Sequence, residues 1–109
     1  MTQTSASFYV LLALSSGPAH GLGIAEDVAE FTSGEVLLGP GTLYRCLKEL
    51  LDDGLIERVQ IEEDPGVTHR KHYRLTAAGE VEAKRTLAGL TRIATVGSAR
   101  LGTPLPQGA

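Results

Sequence analysis

At 109 residues, with 42% apolar and 21% charged side chains, the chain has room for one hydrophobic core and not for two. No apolar run approaches the roughly 20 residues of a membrane helix, so no membrane association is expected; the single cysteine, Cys46, rules out an internal disulfide and points to the cytoplasm. The net charge of −3 argues against a general polyanion binder until it is resolved along the chain, where residues 1–40 hold four acids and no Lys or Arg, and the first cation is Arg45.

The first helix is expected from about Thr4 to Ser15, with Phe8, Leu11, Leu12 and Ser15 at helical spacing and Gly17-Pro18 as its stop. It is apolar nearly all round, so it must be covered on more than one side, in a core or against another chain. For the same reason Met1 to Ala25, which lacks a basic leading segment, reads as core and not as a signal peptide. After His20-Gly21-Leu22-Gly23 a second helix runs to about Thr32, with Ile24, Val28 and Phe31 inward and Gly34 as the terminator.

In the run LGPGTLYRCLKELLDDGLIE, Gly39 suits an N-cap and Pro40 a first helical residue, where its missing N–H costs nothing. Leu43, Leu47, Leu50 and Leu51 then form a buried stripe. Arg45 and Lys48 fall on the opposite side, and Thr42 and Tyr44 at its margins. Leu55 to Ile61 and Arg70 to Leu75 read as strands joined through Asp64-Pro65-Gly66; Tyr73 and Leu75 share one face, and Arg70, His72 and Arg74 the other. From Thr76, an N-cap, a last helix extends to about Arg100, where Ala83, Leu87, Leu90, Ala94, Gly97 and Leu101 alternate four and three apart as a heptad seam that calls for a partner helix.

The expected fold is therefore mostly α with a small antiparallel β-hairpin: a winged helix-turn-helix plus a long C-terminal dimerisation helix. Residues 1–75 make the winged-helix DNA-binding domain, 76–101 the dimerisation helix, and 102–109, with two prolines and two glycines, a disordered tail. In that geometry the third helix enters the major groove. Thr42, Tyr44, Arg45 and Lys48 are the side chains it offers there.

Other chemistries fail on their own terms. GPGTLY has no Lys beside Gly41 and so is not a nucleotide phosphate loop. His20-Gly21-Leu22-Gly23 has no serine elbow to accompany it, which leaves His20 as a polar residue near a helix start. His69 and His72 point to opposite faces of a strand, so no metal or other cofactor is expected. Cys46 reads as a small half-buried hydrophobe. Asp52-Asp53 and Glu62-Glu63-Asp64 read as solvated surface that repels misplaced phosphates.

In combination, HGLGIAEDV, PGTLY followed by LKELLDDGLI, and YRLTAAG resemble the PadR-like transcriptional regulators of the short kind with one C-terminal helix, from about Phe8 to Leu90. The resemblance implies a homodimeric repressor on a pseudo-palindromic operator in double-stranded DNA. It also implies that Thr42, Tyr44, Arg45 and Lys48 read the duplex, that Arg70 and Lys71 act at the wing, and that the last helix pairs with the first across the dimer. Leu22 stands where many members carry Tyr, and the chain has no Trp, so the aromatic drug-stacking pore of some short relatives cannot be built here. A small-molecule effector would instead need a cavity between first and fourth helices lined by Phe8, Leu11, Leu12, Leu90 and Ile93, residues that a plain dimer core explains more simply. The competing reading is a winged-helix protein-interaction or scaffold module without specific DNA binding. Nothing supports enzymatic activity.

Overall fold

A computed structural model describes residues 5–61 and 70–104. Its first helix, α1 (Ala6–Leu14), starts where the Ser5 hydroxyl accepts the Phe8 N–H at 3.3 Å, inside the expected boundary at Thr4. Phe8, Val10, Leu11, Ala13 and Leu14 are all buried, because α2, α3, α4 and β3 each pack against this one helix. Of the two coverings the sequence allowed for it, the chain's own core supplies this one.

Ala19–His20 forms a two-residue strand, β1, that the sequence reading missed. It pairs antiparallel with β3, so the expected hairpin is in fact part of a three-stranded sheet of order β1-β3-β2. Helix α2 (Gly21–Phe31) follows at once. Ile24 and Val28 are sealed in the core as expected, but Phe31 is 40% exposed. It occupies the last helical position, beyond the reach of the core, and its ring lies against Tyr9 at 6.2 Å. The terminator also differs from expectation. Ser33 (φ 53°) takes the first left-handed position and Gly34 (φ 80°) the second, with Ser33 N–H donating to Glu30 and Gly34 N–H to Ala29. Serine tolerates that conformation less well than glycine. Ser33→Gly is expected to stabilise the fold by about 0.5 kcal/mol, a rise of about 2–4 °C by calorimetry.

Helix α3 (Pro40–Asp52) begins on Gly39 as cap and Pro40 as first residue, as the sequence indicated. Its buried stripe is Leu43, Cys46, Leu47 and Leu50; Cys46 completes the i, i+3, i+4, i+7 pattern, and Leu51 is displaced to the half-buried flank. Each such side chain contributes about 1.5–3 kcal/mol of burial, so the stripe fixes which face α3 turns outward. The helix closes at Gly54 (φ 74°), whose N–H donates to Leu51 while Leu55 N–H donates to Leu50.

Strands β2 (Ile56–Val59) and β3 (His72–Leu75) pair with Ile56 opposite Leu75 and Val59 opposite His72. Both are shorter than expected at the wing end, and Arg70 and Lys71 precede β3 instead of belonging to it. The Asp64-Pro65-Gly66 turn and His69 lie outside the described residues. His72, read on the face opposite to Tyr73 and Leu75, is only 8% exposed. Its cross-strand neighbour is His20 of β1, whose ring covers it edge-on at 5.5 Å.

Helix α4 (Ala77–Leu101) starts on a clasp. Thr76 N–H donates to the Leu55 carbonyl, the Thr76 hydroxyl donates to the Gly54 carbonyl at 2.7 Å, and the same hydroxyl accepts the Gly79 N–H at 3.1 Å. Gly79 is buried against Leu55. Ala83 still packs on the core, after which the helix leaves the body of the molecule, whose longest dimension is 55 Å against 26 Å across. Gly102 (φ 68°) caps the helix; of the tail expected to be disordered, 105–109 lie outside the described residues.

Candidate nucleic-acid interface

With its leucine stripe against α1, helix α3 presents Tyr44, Arg45 and Lys48 to solvent. Tyr44 is 59% exposed despite its size. Thr42, in the first turn, is half-buried. Lys48 Nζ lies 3.0 Å from Asp52 Oδ2 one turn later, and both side chains are well exposed. A pair of that kind contributes about 0.3–0.5 kcal/mol in water, so a phosphate could displace the carboxylate with little loss.

Between α3 and the sheet run two adjoining clefts. One, of about 410 Å³, is lined among others by Tyr44, Lys48, Leu51, Asp52, Arg58 and Lys71. The other, of about 370 Å³, is lined by His20, Leu22, Tyr44, Arg70, Lys71 and Tyr73, with Gly21 at its floor. Tyr44, Lys71 and Tyr73 belong to both, so the side chain at the front of α3, the first cation before β3 and a ring of β3 form a common wall. Gly21 packs directly beneath Tyr44: a Cβ placed there would make ordinary contact with the Leu43 side chain at 3.4 Å and the Tyr44 hydroxyl at 3.5 Å.

Of the six residues expected to face DNA, Tyr44, Lys48, Arg70 and Lys71 therefore meet at these clefts. Thr42 and Arg45 lie on α3 outside both. The sequence reading missed Arg58 and His20. Arg58 had a usable signal: it shares a face of β2 with buried Ile56, at the outer end where the strand leaves the core. His20 had none, since only β1 and the α2 start together bring it to the sheet. Its Nδ1 accepts the Gly23 N–H at 3.1 Å and caps α2.

Charge is sorted as well as placed. Arg74 is neutralised by its cross-strand partner Glu57 at 2.6 Å. Arg45, Arg58, Arg70 and Lys71 have no ion-pair partner among the described residues. An acidic chain thus carries a cationic strip from α3 to the foot of the wing, the distribution that duplex binding requires.

Among the described residues, the five side chains named for an effector cavity are spread over different surroundings. Phe8 and Leu11 are core residues that border a small cleft of about 160 Å³ with Glu82 and Thr86, whereas Ile93 is 69% exposed on the projecting part of α4. Leu12 and Leu90 are half-buried and border no cleft described here with them. Among the described residues no three His, Cys, Asp or Glu side chains are grouped to hold a metal ion, and no helix is long and apolar enough to cross a membrane. Cys46 is buried in the core stripe.

The chain matches the profile of the transcriptional regulator PadR-like family over residues 10–85. Solved structures agree. A PadR family transcription regulator from Clostridium difficile R20291 is similar with a TM-score of 0.76 and 26% identity, over 87% of this chain and 96% of that one. A PadR-like transcription factor from Bacteroides fragilis gives 0.70 and 25%, over 85% and 86%. Bacillus subtilis PadR, solved in complex with operator DNA, gives 0.64 and 25%, over 74% of this chain and 45% of that longer one. Comparison with curated proteins yields no match.

Proposed function

Because the chain belongs to the PadR-like family of transcriptional regulators, we propose that it acts in the cytoplasm as a homodimeric repressor, binding a pseudo-palindromic operator in double-stranded DNA. The observation that carries the reading is the set of cations Arg45, Arg58, Arg70 and Lys71, without ion-pair partners among the described residues, on α3, β2 and the wing foot of a chain of net charge −3. The operator-bound Bacillus subtilis neighbour supports it. In this reading α3 enters the major groove: Arg45 and Tyr44 meet base edges, Thr42 and Lys48 the flanking phosphates, and Arg58, Arg70 and Lys71 the backbone beside them. Occlusion of a promoter follows from occupancy alone.

Dimerisation runs along α4. Leu87, Leu90, Ile93, Ala94, Gly97 and Leu101 fall on one side of that helix, and the large ones are exposed or half-buried within one chain. A second α4 or α1 covers them. Two copies must then hold their α3 helices about 34–36 Å apart to reach successive major grooves. An effector acting through Phe8, Leu11, Leu12, Leu90 and Ile93 would have to bind where those two copies meet.

Selection of duplexes from random sequence by the purified chain, followed by salt-titrated binding, tests the proposal. Arg45→Ala is expected to cost about 1–3 kcal/mol on the selected site and to relax preference at one base pair. Lys71→Ala is expected to weaken selected and random duplexes alike and to lower the salt slope by about one. A chain with no preference for any selected sequence over random duplex is a scaffold module and not a regulator of this kind.

A further inference from the structure

His20 does more than begin a helix. Its Nδ1 accepts the Gly23 N–H, and a neutral imidazole that accepts at one ring nitrogen carries its proton on the other. Nε2–H is therefore a donor, and it faces Arg70 Nη1 at 3.1 Å. A guanidinium has only N–H groups to offer, so the two side chains cannot satisfy each other. Two donor nitrogens, one from the cap of α2 and one from the foot of the wing, lie 3.1 Å apart with no acceptor between them among the described residues. The cleft around them is lined by Lys71 and Tyr44 as well, and by no carboxylate among the described residues. Lys71 has no hydrogen-bond or ion-pair partner there either.

The group that satisfies such a set is an oxyanion with several lone pairs, and a phosphate oxygen accepts from guanidinium, ammonium and ring N–H together. We infer that His20 is a phosphate-binding residue in its own right, donating Nε2–H beside Arg70 and Lys71 to a backbone phosphate of the duplex; the inference rests on the DNA-binding reading above. The cap and the proposed donation are compatible, because Nδ1 keeps its lone pair for the Gly23 N–H. The contact is blind to base sequence. It ties the start of α2 to the foot of the wing beside α3, so that one phosphate is gripped by two segments of the chain.

His20→Asn separates the two roles: asparagine is among the best N-caps and keeps the acceptor for Gly23, but it lacks the far donor. The test measures binding of the full chain to a random-sequence duplex between about 50 and 200 mM salt. The expected result is an unchanged melting temperature, an affinity about 3–10-fold weaker, and a slope of log Kd against log salt equal to that of the wild type, since a neutral donor releases no counterion. Arg70→Gln, by contrast, lowers that slope by about one. Wild-type affinity in His20→Asn, or a slope reduced as by a lost cation, overturns the inference. A parallel titration with inorganic phosphate, at ionic strength matched with chloride, separates the sources. If phosphate raises the melting temperature of the wild type but not of His20→Asn, while their duplex affinities agree, the site takes a free oxyanion and the duplex assignment is wrong. A wild-type chain that binds no duplex at any salt fails the underlying reading instead.

Discussion

Gly79→Ala is expected to lower the stability of the fold by about 3 kcal/mol, a fall of about 10–20 °C in melting temperature. The reason is geometric. A Cβ at this position would lie 1.9 Å from the Leu55 carbonyl oxygen and 2.9 Å from its carbon. Both are backbone atoms, and the oxygen is already held by the Thr76 N–H. The Leu75 side chain, at 3.1 Å, could give way, but the two Leu55 backbone atoms cannot, so α4 must tilt or the turn after α3 must open. The matched control is Gly89→Ala in the same helix. A Cβ there meets only the end of the Arg92 side chain at 3.7 Å, and removing glycine from a helix interior is expected to stabilise by about 0.5–1 kcal/mol. Chemical denaturation of both variants provides the comparison. Equal effects at the two sites would mean that α4 does not sit on Leu55 as described.

The second large effect concerns assembly. Leu87→Asp combined with Ile93→Asp is expected to leave a folded monomer by sedimentation velocity, since these side chains are 50% and 69% exposed within one chain. Its affinity for a two-half-site operator is expected to fall about 10²–10⁴-fold, because the second half-site no longer enjoys the effective concentration that linkage provides. Affinity for an isolated half-site should remain that of the wild type. Full retention of dimer mass by the double variant would place the interface on another face.

What the sequence disclosed, and what it withheld, follows the range of the forces involved. The start of α3 was legible because Gly39 and Pro40 act on their own backbone, and its stripe because leucine spacing is a local pattern. Its flank was read less well: Cys46, not Leu51, fills the stripe, a choice settled by what α1 presents opposite. Strand β1 has two residues, too few for alternation to show, and it exists only as a partner of β3. Phe31 was misplaced because the helix carries it past the edge of the core, and the burial of His72 depends on a ring from β1 that no local pattern announces. The candidate interface was half legible. Tyr44 and Lys48 declare themselves by helical periodicity, whereas Arg58 and His20 join them only once β2 and the α2 start are folded alongside. Gly79 was visible as a letter in a pattern, but its reason, a carbonyl contributed from before β2, is not local.

The clasp at Thr76 carries one more consequence. Since Gly54 and Leu55, in the turn directly after α3, are bolted to the root of α4, the angle between the reading head and the handle is locked within each copy. In a paired molecule the stride between the two heads is then decided further along the handle. Inserting a residue beyond Ala83 would advance the far partner by about 1.5 Å and swing it by about 100°, so a lineage could retune the half-site interval of its target without disturbing a single side chain that touches it.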